Sequence, residues 1–284
     1  MQSIQDLLIT ANHQLEQAFA TQEVASHFEA ELLLAHILQQ PRSYLRAHSE
    51  QEVTPAHAQQ FAELIKRRSR GEPIAYILGK QEFWSLEFTV TRDTLIPRPD
   101  TELLVETTLE LLPKEEKITI ADLGTGSGAI AIALAHERPQ WQFYAIDESE
   151  EALQIAQMNA EKHKATNITF AHGHWCAALP KDLLFDVIVS NPPYIAEDEW
   201  SQYVAGLQYE PKSALTSGQD GLNAIREIIR EAKAHLKSGG YLILEHGYNQ
   251  GPGVCQLLKS AKYAKIYTIP DLSSKERITL GRYF

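Results

Sequence analysis

At 284 residues, 44% of them hydrophobic, the chain is long enough for one good-sized domain and a smaller one, each with its own core. A formal net charge of −11 at pH 7 argues against a broad surface for duplex DNA, where phosphate neutralisation dominates affinity. Two cysteines, Cys176 and Cys255, provide no disulfide framework, and neither a leader-like N-terminus nor a membrane-length apolar run is present, so a soluble cytoplasmic protein is expected.

From Ser3 to about Gln40 and from Pro55 to Arg70, apolar residues recur at helical spacing, as in Leu7, Leu8 and Leu15 and then Ala30, Leu33, Leu34 and Ile37. Pro41 and Gly71 punctuate the pattern, and a small helical domain is expected over residues 1–78. The basic cluster Lys66, Arg67, Arg68 and Arg70 reads as a solvated helix end, where cations are favoured. Lys80 to Val90 alternates as a short hairpin within a linker over residues 79–98. From residue 99 to 284, helical and strand patterns alternate, as a doubly wound α/β unit requires.

Lys117–Asp122 reads as a buried strand that runs into Leu123-Gly124-Thr125-Gly126-Ser127-Gly128 and then Ala129–Ala135, a strong helix former. Strand, glycine loop and helix make a nucleotide-binding geometry: glycines let the backbone approach a ligand, and the helix N-terminus supplies free N–H groups. Trp141–Ile146 follows as a second strand ending in Asp147. A carboxylate about 20 residues beyond the glycines is placed to accept both hydroxyls of an adenosine ribose. Gly124-x-Gly126-x-x-Ala129 satisfies the dinucleotide pattern, whereas Asp122-x-Gly124-x-Gly126-x-Gly128 suits a cofactor with a sulfonium and an amino acid tail. The hydride-acceptor pocket and acid–base of a dehydrogenase occur at no recognisable position.

Asn167–Ala171 reads as a third strand, after which His172 and His174 suit a solvated strand end. Two histidines with no third ligand nearby do not make a metal site, and none is expected. Cys176 reads as a small apolar filler. Asp186–Ser190 is apolar and β-branched, a buried strand that delivers Asn191-Pro192-Pro193-Tyr194 at its C-terminal end, where open α/β sheets place ligands. Each proline pushes the preceding residue toward extended geometry and offers no N–H. The segment therefore presents acceptors, the Asn191 side-chain oxygen and the Pro192 carbonyl, to a planar group with two N–H donors; Tyr194 can lay its ring against the same group. The bland alternative is a proline-rich turn without chemistry. An acceptor cup for an amine or amide tips the cofactor choice to S-adenosyl-L-methionine. Beyond it, Asp220–Leu236 reads as a helix and Tyr241–His246 as a strand, with Ile188, Ile243 and Leu244 in the sheet core. Tyr263–Ile269 and Arg277–Phe284 read as a terminal antiparallel pair.

The glycine loop, Asp147 and Asn191–Tyr194 together resemble the class I S-adenosylmethionine-dependent methyltransferases that act on nitrogen. Gly71–Gly79, Glu82–Trp84, Leu95–Glu102, Leu244–Gly247 and Arg277–Tyr283 narrow this to a resemblance to the bacterial release factor glutamine methyltransferases, the PrmC/HemK family, over essentially the whole chain from Ile4. The resemblance implies a Rossmann-like, mostly parallel seven-stranded sheet and N5-methylation of the glutamine in the Gly-Gly-Gln loop of peptide chain release factors 1 and 2. On this reading Gly124, Thr125, Gly126, Ser127, Gly128, Asp147, Trp175 and Asn191 bind S-adenosyl-L-methionine. Asn191, Pro192, Pro193 and Tyr194 bind substrate, with Asn191, Pro192 and Tyr194 catalytic.

The helical domain would cradle the release factor, and a monomer without membrane or DNA contacts is expected. The family usually has an Asp before the tryptophan, available to the adenine amino group, where this chain has His174; Trp175 can still pack on the adenine face. Ribosomal protein L3 glutamine methyltransferases share the cup but lack the run Arg98-Pro99-Asp100-Thr101-Glu102. A release factor substrate is therefore preferred over L3, over DNA adenine, and over a catalytically silent scaffold.

Amide nitrogen is a poor nucleophile, so positioning and electrostatics must supply most of the catalysis. No strong base is needed before attack, and neither Glu245 nor His246, at a strand end, is assigned as one. Arg98 either meets the substrate or pairs with a carboxylate that fixes its segment.

Overall fold

The computed structural model describes residues 2–20 and 24–284, whose contacts divide the chain into two units, Met1–Gly79 and Lys80–Phe284. In the first, the described helices are α1 (Ile4–Ala18), α2 (Ser26–Leu38), α3 (Arg42–Ala47), α4 (Pro55–Ser69) and α5 (Ile74–Leu78). Two short strands, β1 (Gln2–Ser3) and β2 (Glu52–Val53), pair antiparallel. Ser3 caps α1 reciprocally: its hydroxyl accepts the Asp6 N–H at 3.1 Å, and the Asp6 carboxylate accepts the Ser3 N–H at 3.0 Å. Leu7, Leu15, Leu33, Leu34, Phe61 and Ile65 form the core.

The helical stretch expected from Ser3 to Gln40 is two helices, and residues 21–23 of it lie outside the described residues. Gln39 takes a left-handed φ of 51° two residues before Pro41, which ends α2. At six and five residues, α3 and α5 are too short to show a period in sequence.

The second unit begins with the expected hairpin, β3 (Lys80–Phe83) and β4 (Leu86–Thr89), whose turn residues Trp84 and Ser85 both have positive φ, as a tight hairpin requires. There follow α6 (Glu102–Leu111), β5 (Thr119–Leu123), α7 (Ala129–Glu137), β6 (Gln142–Asp147), α8 (Glu150–Lys162), β7 (Ile168–His172) and β8 (Phe185–Ser190). The chain closes with α9 (Trp200–Leu207), α10 (Asn223–Ala232), β9 (Leu236–Glu245), α11 (Gly251–Ser260), β10 (Ala264–Pro270) and β11 (Glu276–Arg282). Seven strands form one sheet in the order β10-β11-β9-β8-β5-β6-β7. Strands β5 to β9 run parallel, and β11 is antiparallel to both β9 and β10.

Alternate strand residues feed two cores, one on each face of the sheet. Ile120, Val187 and Ile243 join α7, whereas Ala121, Ile188 and Leu244 join Ile225, Ile228 and Ile229 of α10. The helix expected to reach Leu236 stops at Ala232, and β9 starts at Leu236 rather than Tyr241. Lys237-Ser238-Gly239-Gly240, left between the expected helix and strand, is itself strand with an irregular register against β8, and Gly239 takes a φ of 90°. No helix of the described residues is long and apolar enough to cross a membrane.

Asn159 of α8, wholly buried, locks the hairpin to the glycine loop. Its Oδ1 accepts the Thr89 N–H at 2.7 Å, and its Nδ2 donates to the carbonyls of Thr89 at 3.0 Å and Ser127 at 2.9 Å. Asn159→Leu removes the partner of the buried Ser127 carbonyl and of the part-buried Thr89 N–H and carbonyl, and should cost about 3 kcal/mol. Urea unfolding of the variant followed by tryptophan fluorescence checks this, and a loss near zero would mean that Asn159 is dispensable to the lock.

Candidate active site

In the centre of the sheet β5 and β8 are neighbours, in a register that sets Leu123 opposite Ser190. The Ser190 hydroxyl donates to the Leu123 carbonyl at 2.6 Å. From β5 the chain winds out to β6 and β7, while β8 leads to β9 on the other side, so the strand order reverses between them. A crevice opens at the carboxyl ends of strands at such a point. Leu123 hands on to the glycine loop and Ser190 to Asn191, so the two motifs leave the sheet side by side.

The Gly124 and Thr125 N–H groups both donate to the Ile146 carbonyl, at 2.8 and 2.9 Å, which folds the loop toward β6. Asp147 at the tip of β6 accepts the Gly126 N–H at 2.7 Å and the Ser149 N–H at 3.0 Å. Burial raises its pKa, and the backbone donors from Ser149 and Gly126 work in the opposite direction. Beneath the loop, Asp122 accepts the Thr125 hydroxyl at 2.6 Å and the Ala131 N–H at 3.2 Å, tying the strand end to α7. Complete burial pushes its pKa up to about 7.

A cavity of about 440 Å³ opens over these strand ends, and Gly124, Gly126, Asp147, Trp175 and Asn191 all line it. The Trp175 indole lies close enough to Gly124 that a Cβ there would stand 3.1 Å from the ring. Thr125, Ser127 and Gly128 do not line this cavity. Thr125 turns to Asp122, Ser127 gives its carbonyl to Asn159, and Gly128 precedes α7 where a Cβ would press Ile132 at 2.8 Å.

A second cavity, of about 550 Å³, is lined by Pro192, Tyr194, Arg98 and Arg277, among others. Asn191, Leu95 and Ala214 line both spaces, so the two meet at the first residue of the cup. Pro193 faces the smaller one. Asn191 Nδ2 donates to Thr101 Oγ1 at 3.0 Å, which leaves Oδ1 as its acceptor. The Tyr194 hydroxyl donates to Glu245 Oε1 at 3.4 Å, and burial holds its pKa well above the usual phenol range, so it stays protonated. Gln250 Nε2 donates to the Tyr194 carbonyl at 2.9 Å, and Leu215 O accepts the N–H groups of Tyr194 at 3.2 Å and Ile195 at 2.8 Å.

Arg98 pairs with Glu210, whose other oxygen accepts the Ile96 N–H at 3.0 Å; it both fixes the Pro97 segment and faces the larger cavity. Arg277 is bound to Asp100 at 3.0 Å and Asp271 at 3.1 Å. His172 Nε2 meets the Glu148 carbonyl at 2.9 Å. His174, bordering the smaller cavity, lies between Glu148 at 3.1 Å and Glu227 at 3.2 Å. Burial lowers the His174 pKa, but these carboxylates outweigh it and the net direction is upward. Among the described residues, no three His, Cys, Asp or Glu side chains are grouped to hold a metal ion. Burial pushes the Cys176 thiol up to about 12, so it is no nucleophile at neutral pH. His246 is enclosed between the Gly247 carbonyl at 2.9 Å and Thr279 at 2.7 Å, and burial lowers its pKa, which keeps it neutral.

Thr101, Glu210 and Gln250 reach the cup or its flank from far along the chain, and nothing local to them signals it. Gly221 does carry a signal, the turn Asp220-Gly221. Its φ is 73°, and a Cβ there would lie 2.1 Å from the Tyr194 carbonyl oxygen. Gly221→Ala should therefore displace the cup and lower turnover roughly tenfold or more while cofactor affinity holds. Steady-state kinetics beside calorimetric cofactor binding checks this, and unchanged turnover would show that the cup tolerates the shift.

Residues 6–79 match the PrmC N-terminal domain family, and residues 114–275 match the methyltransferase domain family. The release factor glutamine methyltransferase of Coxiella burnetii is 46% identical over 272 residues, 96% of this chain and 97% of the relative. That of Pseudomonas aeruginosa is 47% identical over 259 residues, 91% and 93% of the two chains. The crystal structure of the hMettl16 catalytic domain in complex with MAT2A 3′UTR hairpin 1 has a TM-score of 0.60 at 16% identity, covering 89% of this chain and 91% of that one, a likeness of fold alone. The seven-stranded sheet is the class I methyltransferase fold. Identity at this level along nearly the full length of both chains means that the protein belongs to the release factor glutamine methyltransferase family.

Proposed function

We propose that this enzyme transfers a methyl group from S-adenosylmethionine to the side-chain amide nitrogen, N5, of the glutamine in the Gly-Gly-Gln motif of peptide chain release factors 1 and 2. The observation that carries the reading is the meeting of two cavities at Asn191, one walled by glycines and an aspartate, the other by the acceptor cup. Family membership supports the substrate class, and the charge of −11 speaks against duplex DNA.

The smaller cavity fits an adenosine cofactor. Gly124 and Gly126 bring no side chains into it, Asp147 is held at its wall by backbone donors, and Trp175 offers a flat apolar face. Asp147 would accept the ribose hydroxyls and Trp175 would pack on the adenine, while Thr125, Ser127 and Gly128 shape the loop from below. His174, with its carboxylate neighbours, borders the same cavity and would be available to the adenine edge. When bound, the cofactor supplies an electrophilic methyl on a sulfonium.

In the larger cavity, Asn191 Oδ1 and the Pro192 carbonyl would accept the two hydrogens of the glutamine amide, and the Tyr194 ring would cover its flat face. Fixing both hydrogens fixes the direction of the nitrogen lone pair toward the neighbouring cavity. Two acceptors also favour the positive charge that grows on nitrogen. The helical unit would add contacts to the body of the release factor, and the enzyme would act as a cytoplasmic monomer.

Mass spectrometry of intact release factor, ribosomal protein L3 and adenine-containing DNA after incubation with enzyme and S-adenosylmethionine tests the substrate. One methyl on the Gly-Gly-Gln glutamine alone is expected; a methyl on L3 or adenine instead would overturn the assignment. Asn191→Ala should lower turnover on the order of a hundredfold with little change in cofactor affinity. Asp147→Ala should instead weaken cofactor binding roughly tenfold or more, read by calorimetry. Unchanged affinity there would remove Asp147 from the ribose site.

A further inference from the structure

We propose that Gln250 is a positioning residue for the acceptor cup: its side-chain amide fastens the cup to two other segments that wall the larger cavity, and turnover depends on that fastening. The proposal rests on the reading of Asn191–Tyr194 as the part that holds the substrate amide.

The Pro192 carbonyl, one of the two acceptors of the cup, belongs to the backbone, so its direction is set by the course of the chain on either side. The prolines restrict that course as far as Pro193. Beyond them, the Tyr194 and Ile195 N–H groups both donate to Leu215 O, at 3.2 and 2.8 Å, and the Ile195 carbonyl accepts the Ser217 N–H at 2.9 Å. The Tyr194 carbonyl is held by Gln250 Nε2 at 2.9 Å.

The same NH2 group donates to the Asp220 carbonyl at 3.3 Å, and Oε1 accepts the Gly247 N–H at 2.8 Å. A carbonyl can only accept and a backbone N–H can only donate, so the partners themselves fix which end of the Gln250 amide lies where. One side chain thus joins Tyr194, Asp220 and Gly247, and all three line the larger cavity. Gln250 stands at the N-cap of α11, yet its side chain makes no capping bond there, so the helix that carries the amide does not use it. Gly221 clears the space into which it reaches. At a φ of 73°, a Cβ on Gly221 would stand 2.7 Å from Gln250 Nε2 as well as 2.1 Å from the Tyr194 carbonyl oxygen.

Gln250→Glu keeps the length of the side chain and the acceptor for Gly247, but sets a carboxylate against two carbonyl oxygens. Gln250→Ala removes the amide and leaves those carbonyls unopposed. With kcat taken per cofactor site counted by calorimetry, so that misfolded enzyme is not scored, both variants should lose roughly tenfold or more. Gln250→Glu should lose at least as much as Gln250→Ala, with cofactor affinity and the KM for release factor unchanged in both. A side chain that only fills space gives the reverse order, with Gln250→Glu close to wild type. In 15N relaxation of the cofactor-bound enzyme, the order parameters of the Tyr194 and Ile195 N–H groups, about 0.85 where backbone is rigid, should fall in both variants. Wild-type kcat in either variant, the reverse order, or unchanged order parameters would each overturn the proposal. If wild type methylates another NH2 acceptor in place of the release factor, the substrate reading falls while kcat on that acceptor still decides this one. If it methylates none, the order parameters decide it.

Discussion

The parallel pairing of β5 with β8 is the constraint on which the rest depends. Their register sets Leu123 opposite Ser190, so whatever follows each strand must emerge at one point of the sheet. A glycine loop follows one and an acceptor cup the other, and the chain folds away from that point on both sides. The two sites that the proposed group transfer would use are thus made adjacent by backbone hydrogen bonds. Both strands are buried on both faces, in the two cores that α7 and α10 cover. Slippage by one residue would send each apolar side chain into the opposite core, among neighbours it is not shaped to fit, which makes the register costly to lose.

Around that point the chain holds polar groups by backbone donors and distant side chains, with few local contacts. Asp147 is bound by the N–H groups of Gly126 and Ser149, Asn159 joins hairpin to loop, and Gln250 and Gly221 press the cup from behind. Such fixed dipoles need no reorganisation as charge develops, which is what methylation of a weak nucleophile requires. Tyr194 stays protonated by burial, and both ring nitrogens of buried His246 are engaged, by the Gly247 carbonyl and Thr279, so neither is free to act as a base.

Much of this arrangement was legible from the residues. Buried strands announced themselves as β-branched runs, the glycine loop by its spacing, and the cup by two prolines after an asparagine. The seven-stranded sheet and its terminal antiparallel pair follow the expected pattern. What was not legible has physical causes. Lys237-Ser238-Gly239-Gly240 carries no strand pattern because irregular pairing lets glycine enter a strand. Short helices such as α3 and α5 have no room to repeat. Thr101 and Glu210 act on residues about as far along the chain as a small domain is long, and no window of sequence joins them. Within the glycine loop, spacing could not separate Gly124 and Gly126, which line the smaller cavity, from Thr125, Ser127 and Gly128, which do not.

The claim at the centre is that a glutamine amide and an adenosine cofactor occupy the two cavities that meet at Asn191. A crystal structure of the enzyme with S-adenosylhomocysteine and a release factor domain bearing the Gly-Gly-Gln loop tests it most directly. The account predicts the adenosine beside Asp147 and Trp175, with the glutamine NH2 within hydrogen-bond distance of both Asn191 Oδ1 and the Pro192 carbonyl. A glutamine bound away from Asn191, or the nucleoside in the larger cavity, would contradict it.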